Sequence, residues 1–150
     1  MNVTVEKASS EQSETVLRLR REMLAVVSGK DESSFDGEFT RISREYFQNG
    51  DQTTVLAFDR ETAVGCATVC YITLMPTADH PTGHRAHIMN VYVKPEYRRR
   101  GIARQMMNAL LCEAKERGVT YISLDATESG KPLYKALGFD TNEENMGINL

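Results

Sequence analysis

One stretch limits the possible folds more than any other: "AHIMNVYVKPEYRRRGIARQMMNALLCEAKERG", residues 86–118. Its opening run, rich in β-branched and aromatic residues, reads as a strand, and Pro95 cannot continue a central ladder. Three arginines and Gly101 follow. Then Ile102, Met106, Met107, Leu110, Leu111 and Ala114 recur at helical spacing, with Lys115 and Arg117 in the last turn and Gly118 just beyond. A strand that passes through a tight turn into an amphipathic helix rules out an all-α or all-β chain.

The flanks repeat the mixture. "MNVTVEKAS" alternates like a short half-buried strand, and "SSEQSETVLRLRREMLAVVSG" reads as a capped helix whose Val16, Leu17, Leu19, Met23, Leu24 and Val27 form an apolar stripe. In "SSFDGEFTRISREYFQNG", Phe35, Phe39, Ile42 and Tyr46 fall at spacings of four, three and four, which predicts a second helix. "TTVLAFDRETAVGCATVCYITL" predicts an antiparallel hairpin turning at Asp59-Arg60-Glu61, and "MPTADHPTGHR" a loop. Beyond residue 118, "VTYISLDAT" reads as a strand, "SGKPLYKALGF" as a short helix and "NMGINL" as a last strand. At 150 residues, with no repeat and no long linker, the expectation is a single α/β domain over 1–150.

Charge and cysteine content narrow the function. Lys plus Arg number 18 against 21 Asp plus Glu, a net charge of -3, so Arg98, Arg99 and Arg100 act locally and not as part of a basic field for nucleic acid. Cys66, Cys70 and Cys112 contain no Cys-x-x-Cys pair, which speaks against a disulfide framework or zinc site and for a reducing cytoplasm. His84 and His87, three apart in an extended segment, point to opposite faces, so no metal is expected. The N-terminus lacks a basic-then-apolar leader, and no apolar run is long enough for a membrane span.

A strand ending in a glycine-bearing turn aims free backbone N–H groups and the positive end of a helix dipole at one spot, a ready site for an anion. Neither common phosphate loop is present: there is no Gly-x-x-x-x-Gly-Lys-Ser/Thr, and Gly101 has no glycine partners for a dinucleotide turn. The pattern that is present, Arg98-x-x-Gly101-x-Ala103, resembles the acetyl-CoA motif of the GNAT superfamily of N-acetyltransferases, Arg/Gln-x-x-Gly-x-Gly/Ala. "HIMNVYVKPEYRRRGIARQMMNALLCEAKERG" is similar to that family's strand, loop and helix, "LYKALGF" to its later helix, and the element order agrees over most of the chain.

The resemblance implies a central twisted mixed sheet of about six to seven strands, splayed at the acetyl-CoA site, with about four helices. It also implies the roles. The main chain of Val91, Tyr92 and Val93 would hold the pantetheine arm and polarise the thioester carbonyl. The segment Arg98, Arg99, Arg100, Gly101, Ile102, Ala103 and Arg104 would cradle the pyrophosphate, and Tyr134 would protonate the departing thiolate. Arg104 stands where the family often has a small hydroxyl residue. A base is needed for the amine, and Glu45, His87, Asp125, Glu128 and the loop acids are all open.

The expected activity is transfer of an acetyl group to a primary amine of a small molecule within a ternary complex. Asp31, Glu32, Asp140, Glu143 and Glu144, in the loops that shape acceptor sites in this family, suggest a cationic acceptor. Dimers are common in the family. The rivals are a non-catalytic acyl-CoA-binding module of the same fold, acetylation of a protein or peptide amine, and nucleic-acid binding through Arg98 to Arg100.

Overall fold

The computed structural model describes residues 2–29, 35 and 37–150. Strand β1 (Val3–Lys7) leads through a short 3-10 turn into helix α1 (Ser13–Ser28) and then α2 (Gly37–Asn49). The α1 entry is fixed by Gln12, whose side-chain Oε1 accepts from the Ser9 N–H at 2.9 Å. Strands β2 (Gln52–Asp59) and β3 (Thr62–Thr73) form the predicted hairpin, with Arg60 in the left-handed region at its turn. Strand β4 (His84–Val93), helix α3 (Ile102–Glu116), strand β5 (Tyr121–Leu124) and helix α4 (Lys131–Ala136) complete the order.

The sheet runs β1-β2-β3-β4-β5, antiparallel except for the β4–β5 pair, which α3 connects in parallel. Helix α3 covers one face through Ile102, Met106, Met107, Leu110 and Ala114, all buried against Val55, Val69, Ala86 and Ile88. Fully burying side chains of this size is worth on the order of 1.5–3 kcal/mol each. The other face carries α1 through Val16 and Leu19, packed with Leu56, Cys66 and Tyr92.

Three expectations change. The sheet has five strands among the described residues, not six to seven, and "NMGINL" is no strand. Edge strand β5 is only four residues long, so it offers the tail little ladder to join, and Met146 and Ile148 stand 92% and 85% exposed. Val27 ends α1 in solvent, not in the stripe. Phe35, expected in the second helix, stands ahead of α2, whose Ile42 and Tyr46 line a cavity.

Candidate active site

The ladder between β4 and β5 pairs Arg85 with Tyr121 through Ile88 with Leu124 and then stops, although β4 continues to Val93. The sheet therefore splits beyond Ile88. The Lys94 N–H donates to the Val64 carbonyl on the β3 side at 2.9 Å. Because backbone groups alternate along a strand, Val91 and Val93 turn their N–H and C=O groups to the opposite edge, the one β5 leaves open. One of these is partly occupied: the Val93 carbonyl accepts from Arg98 Nε at 3.0 Å.

At the end of this open edge, a 3-10 turn over Pro95–Tyr97 brings the chain to Arg98, and the Tyr97 hydroxyl donates to Asp59 Oδ2 at 2.9 Å, tying the loop to the β2–β3 hairpin. That hydrogen bond also holds the Asp59 carboxyl below the ordinary carboxylate range. Arg99 and Gly101 both sit at positive φ, 61° and 78°, which turns the chain sharply before α3. A Cβ built on Gly101 meets no heavy atom within 4 Å, so glycine keeps clear the space in front of the helix start. There the first N–H groups of α3 lack intrahelical acceptors. Open space and unmatched backbone donors meet here, which is the chemistry a pyrophosphate needs.

The seven loop residues do not contribute alike. Arg98 folds back on Val93, and the Arg100 guanidinium stacks over the Tyr97 ring at 5.6 Å. Ile102 is buried in the core and Ala103 half-buried, so they offer main chain only. Arg99 and Arg104 are exposed. Tyr92 likewise turns its side chain to α1, where its hydroxyl lies 3.3 Å from Glu22 Oε2.

Tyr134, on α4, packs into the same cluster as Val91, Val93, Ile102 and Ala103. Gly130 makes room for its ring, since a Cβ there would come within 2.9 Å of it, and Phe139 meets it edge-on at 6.1 Å. Burial pushes the Tyr134 phenol above its ordinary pKa, so it stays protonated and able to donate.

On the α1–α2 face lies a cavity of about 330 Å³. Arg20 of α1, Tyr46 and Phe47 of α2, and Thr68, Cys70 and Asn90 of the sheet line it. Sequence reasoning passed over Arg20 and Asn90. Arg20 nonetheless gave a signal, being four residues from Val16, three from Leu17 and three from Met23, a cation within an apolar stripe. Asn90 gave none, because it stands at a bulge: Thr68 pairs with Met89 and Cys66 with Tyr92, which leaves Asn90 and Val91 opposite Ala67.

Of the candidate bases, Glu45 is exposed beside Arg41, and Glu128 pairs with Lys131 at 2.7 Å on the surface. His87 differs. It lies one residue before the split, with Nδ1 2.7 Å from Ser123 Oγ and Nε2 3.7 Å from Asp125 Oδ2, and it pairs across β3 with the cavity residue Cys70. Asp31 and Glu32 lie outside the described residues, while Asp140, Glu143 and Glu144 are exposed in the tail. No helix among the described residues is long and apolar enough to cross a membrane.

The chain is similar to known acetyltransferases in sequence and fold. A family model described as the acetyltransferase (GNAT) family covers residues 19–139. A solved structure from Clostridium acetobutylicum, described as a predicted acetyltransferase with acetyl-CoA, superposes with a TM-score of 0.89 at 28% identity over 99% of this chain and 96% of that one. A GCN5-related N-acetyltransferase from Ralstonia eutropha JMP134 gives a TM-score of 0.87 at 25% identity, covering 99% of each chain. A glucosamine 6-phosphate N-acetyltransferase of Trypanosoma brucei brucei is 33% identical over 64 residues, 43% of this chain and 44% of that relative, so the match spans less than half of either.

Proposed function

Because this chain belongs to the acetyltransferase (GNAT) family, we propose that it moves an acetyl group from acetyl-CoA to the primary amine of a small molecule, both held at once. The observation that carries this reading is the split after Ile88, which leaves an open strand edge between a glycine-cleared helix start and the residues that line a cavity on the α1–α2 face. A structural relative described with acetyl-CoA supports the cofactor, and the partial relative named for glucosamine 6-phosphate supports a small acceptor.

Acetyl-CoA, when bound, supplies an activated thioester. The residues of the chain do the rest. N–H groups from Arg99 to Arg104 bind the pyrophosphate, and the main chain of Val91 and Val93 aligns the pantetheine arm along the edge without a strand partner. The Val91 N–H donates to the thioester oxygen as negative charge gathers there, an effect worth about 3–4 kcal/mol where one such donor has been removed. The incoming amine gives up a proton as its nitrogen bonds to the acetyl carbon. His87, held by Ser123 and Asp125 and paired in the sheet with the cavity residue Cys70, takes that proton. As the C–S bond breaks, Tyr134 donates its phenolic proton to sulfur, and solvent restores it.

The test is release of coenzyme A and appearance of the acetylated amine, followed by mass, across a panel of primary amines. Turnover of at least one small amine is expected. If acetyl-CoA protects the protein from heat but no amine is acetylated, the chain is a binding module and the reading fails.

A further inference from the structure

The cavity beside the split is lined by a cation that has no carboxylate partner among the described residues. Arg20 extends from α1 between Val16 and Met23, half-buried, and its Nη1 donates to Asn90 Oδ1 at 3.3 Å. Asn90 is neutral and is committed in turn: its Nδ2 donates to Thr68 Oγ1 at 3.4 Å, and Thr68 meets Thr54 at 2.7 Å. Among the described residues no carboxylate lies within ion-pair distance of Arg20; Arg44 and Lys94 nearby are matched with Glu14 and Glu22, while Arg21 next to it donates to Thr40 Oγ1 at 2.6 Å. Loss of hydration lowers the Arg20 pKa, and the titratable groups that feel its charge are the thiols of Cys66 and Cys70.

A guanidinium has five N–H donors. Those not given to Asn90 are available at the cavity wall, where the natural complement is a planar or tetrahedral oxyanion. At about 330 Å³ the cavity lies at the small end of binding pockets, a size for an amino acid or a single sugar.

Building on the acetyl-transfer reading, we propose that the acceptor carries an anionic group, a carboxylate or a phosphate, beside its primary amine, and that Arg20 binds that anion while Asn90 positions the guanidinium. The acidic loops of the sequence suggest the opposite charge. Those residues, however, are exposed or outside the described segments, whereas Arg20 lines the cavity itself.

Matched pairs of acceptors test the idea: α-amino acids against their amides, and an amino-sugar phosphate against the unphosphorylated amino sugar. In the wild type, kcat/KM should favour the anionic member of at least one pair by about 10- to 100-fold, the span of a hydrogen bond to a charged group, and the pair that responds identifies carboxylate or phosphate as the anion. Arg20→Met should shrink that ratio to within about threefold. Arg20→Lys should leave an intermediate ratio, and it serves if the Met variant does not fold.

Binding of the same amines to the complex with coenzyme A, measured by calorimetry, separates the two readings. Arg20-dependent binding of the anionic member without turnover would sink acetyl transfer and keep the anion site. A wild type that prefers neutral or cationic members, or an Arg20→Met that weakens both members of a pair equally, overturns the anion site.

Discussion

Replacing Gly101 with valine should damage coenzyme A binding far more than replacing Arg99 with alanine. The two residues stand two apart in one loop, yet they would contribute by different means. Gly101 has φ of +78°, and a Cβ there touches nothing within 4 Å, so a side chain meets no steric clash in the free protein. The remaining cost is backbone strain, about 1–2 kcal/mol for an L-residue in the left-handed region. That is bearable for a domain stable by about 5–15 kcal/mol.

The empty space is the space a phosphate must enter to reach the first N–H groups of α3. If the valine side chain blocks two charge-assisted hydrogen bonds, each worth about 1.5–3 kcal/mol, affinity falls by about 10²- to 10⁴-fold. Arg99 is exposed, and a screened surface charge contributes about 0.2–1 kcal/mol, a factor of about five at most. Calorimetric titration with coenzyme A at constant salt measures both, and urea unfolding of the free variants checks that strain has not unfolded the loop. If Arg99→Ala weakens binding as much as Gly101→Val, side-chain charge governs the site and the backbone account is wrong.

Tyr134→Phe should lower kcat by about 100-fold while the Kd for acetyl-CoA stays within twofold; because burial raises the phenol pKa, wild-type kcat should show no loss from ionisation of this group until above pH 10. His87→Gln should likewise lower kcat by about 100-fold, whereas Glu45→Gln, exposed on α2, should not, and equal rates for all three enzymes would remove His87 from the mechanism. The alkaline limb of stability tests Cys66, whose thiol burial pushes up to about 12 from 9.0. The folded state then keeps the proton that the unfolded chain loses above pH 9, so this contribution is complete below pH 9 and shrinks as pH rises, by roughly 1.4 kcal/mol between pH 8 and 10. Urea unfolding of Cys66→Ala should lack that part of the slope, and parallel curves for variant and wild type would refute it.

The parts of this molecule that could be read from sequence are those set by local chemistry. The strand, Pro95, Gly101 and helix α3 follow one another within about thirty residues, and each is dictated by its own residues. The stripe of α3 settles which side chains are core, as Met106 and Met107 confirm by full burial. Long-range pairing was not legible in the same way. Whether "NMGINL" becomes a strand depends on the length of β5, not on its own alternation, and four residues of β5 offer too little ladder. The stripe of α2 is visible as Phe39, Ile42 and Tyr46, yet periodicity cannot tell a face that closes a core from one that walls a cavity.

The same limit explains why Asn90 escaped notice, and it shows how the two halves of the candidate site are aligned. In a regular strand Met89 and Asn90 would face opposite sides of the sheet. The bulge at Asn90, with φ of +61°, sets both toward the α1–α2 cavity and returns Val91 and Val93 to the α3 side, with their backbone groups turned to the open edge. Asparagine suits the position twice over: it tolerates left-handed backbone better than most residues, and its amide spans Arg20 and Thr68. It also stands two residues past the last β4–β5 pair. One extra residue in β4 thus fixes the distance between the Arg20 wall of the cavity and the strand edge, so an acceptor whose anion Arg20 binds, as proposed, would have its amine set beside the main chain of Val91.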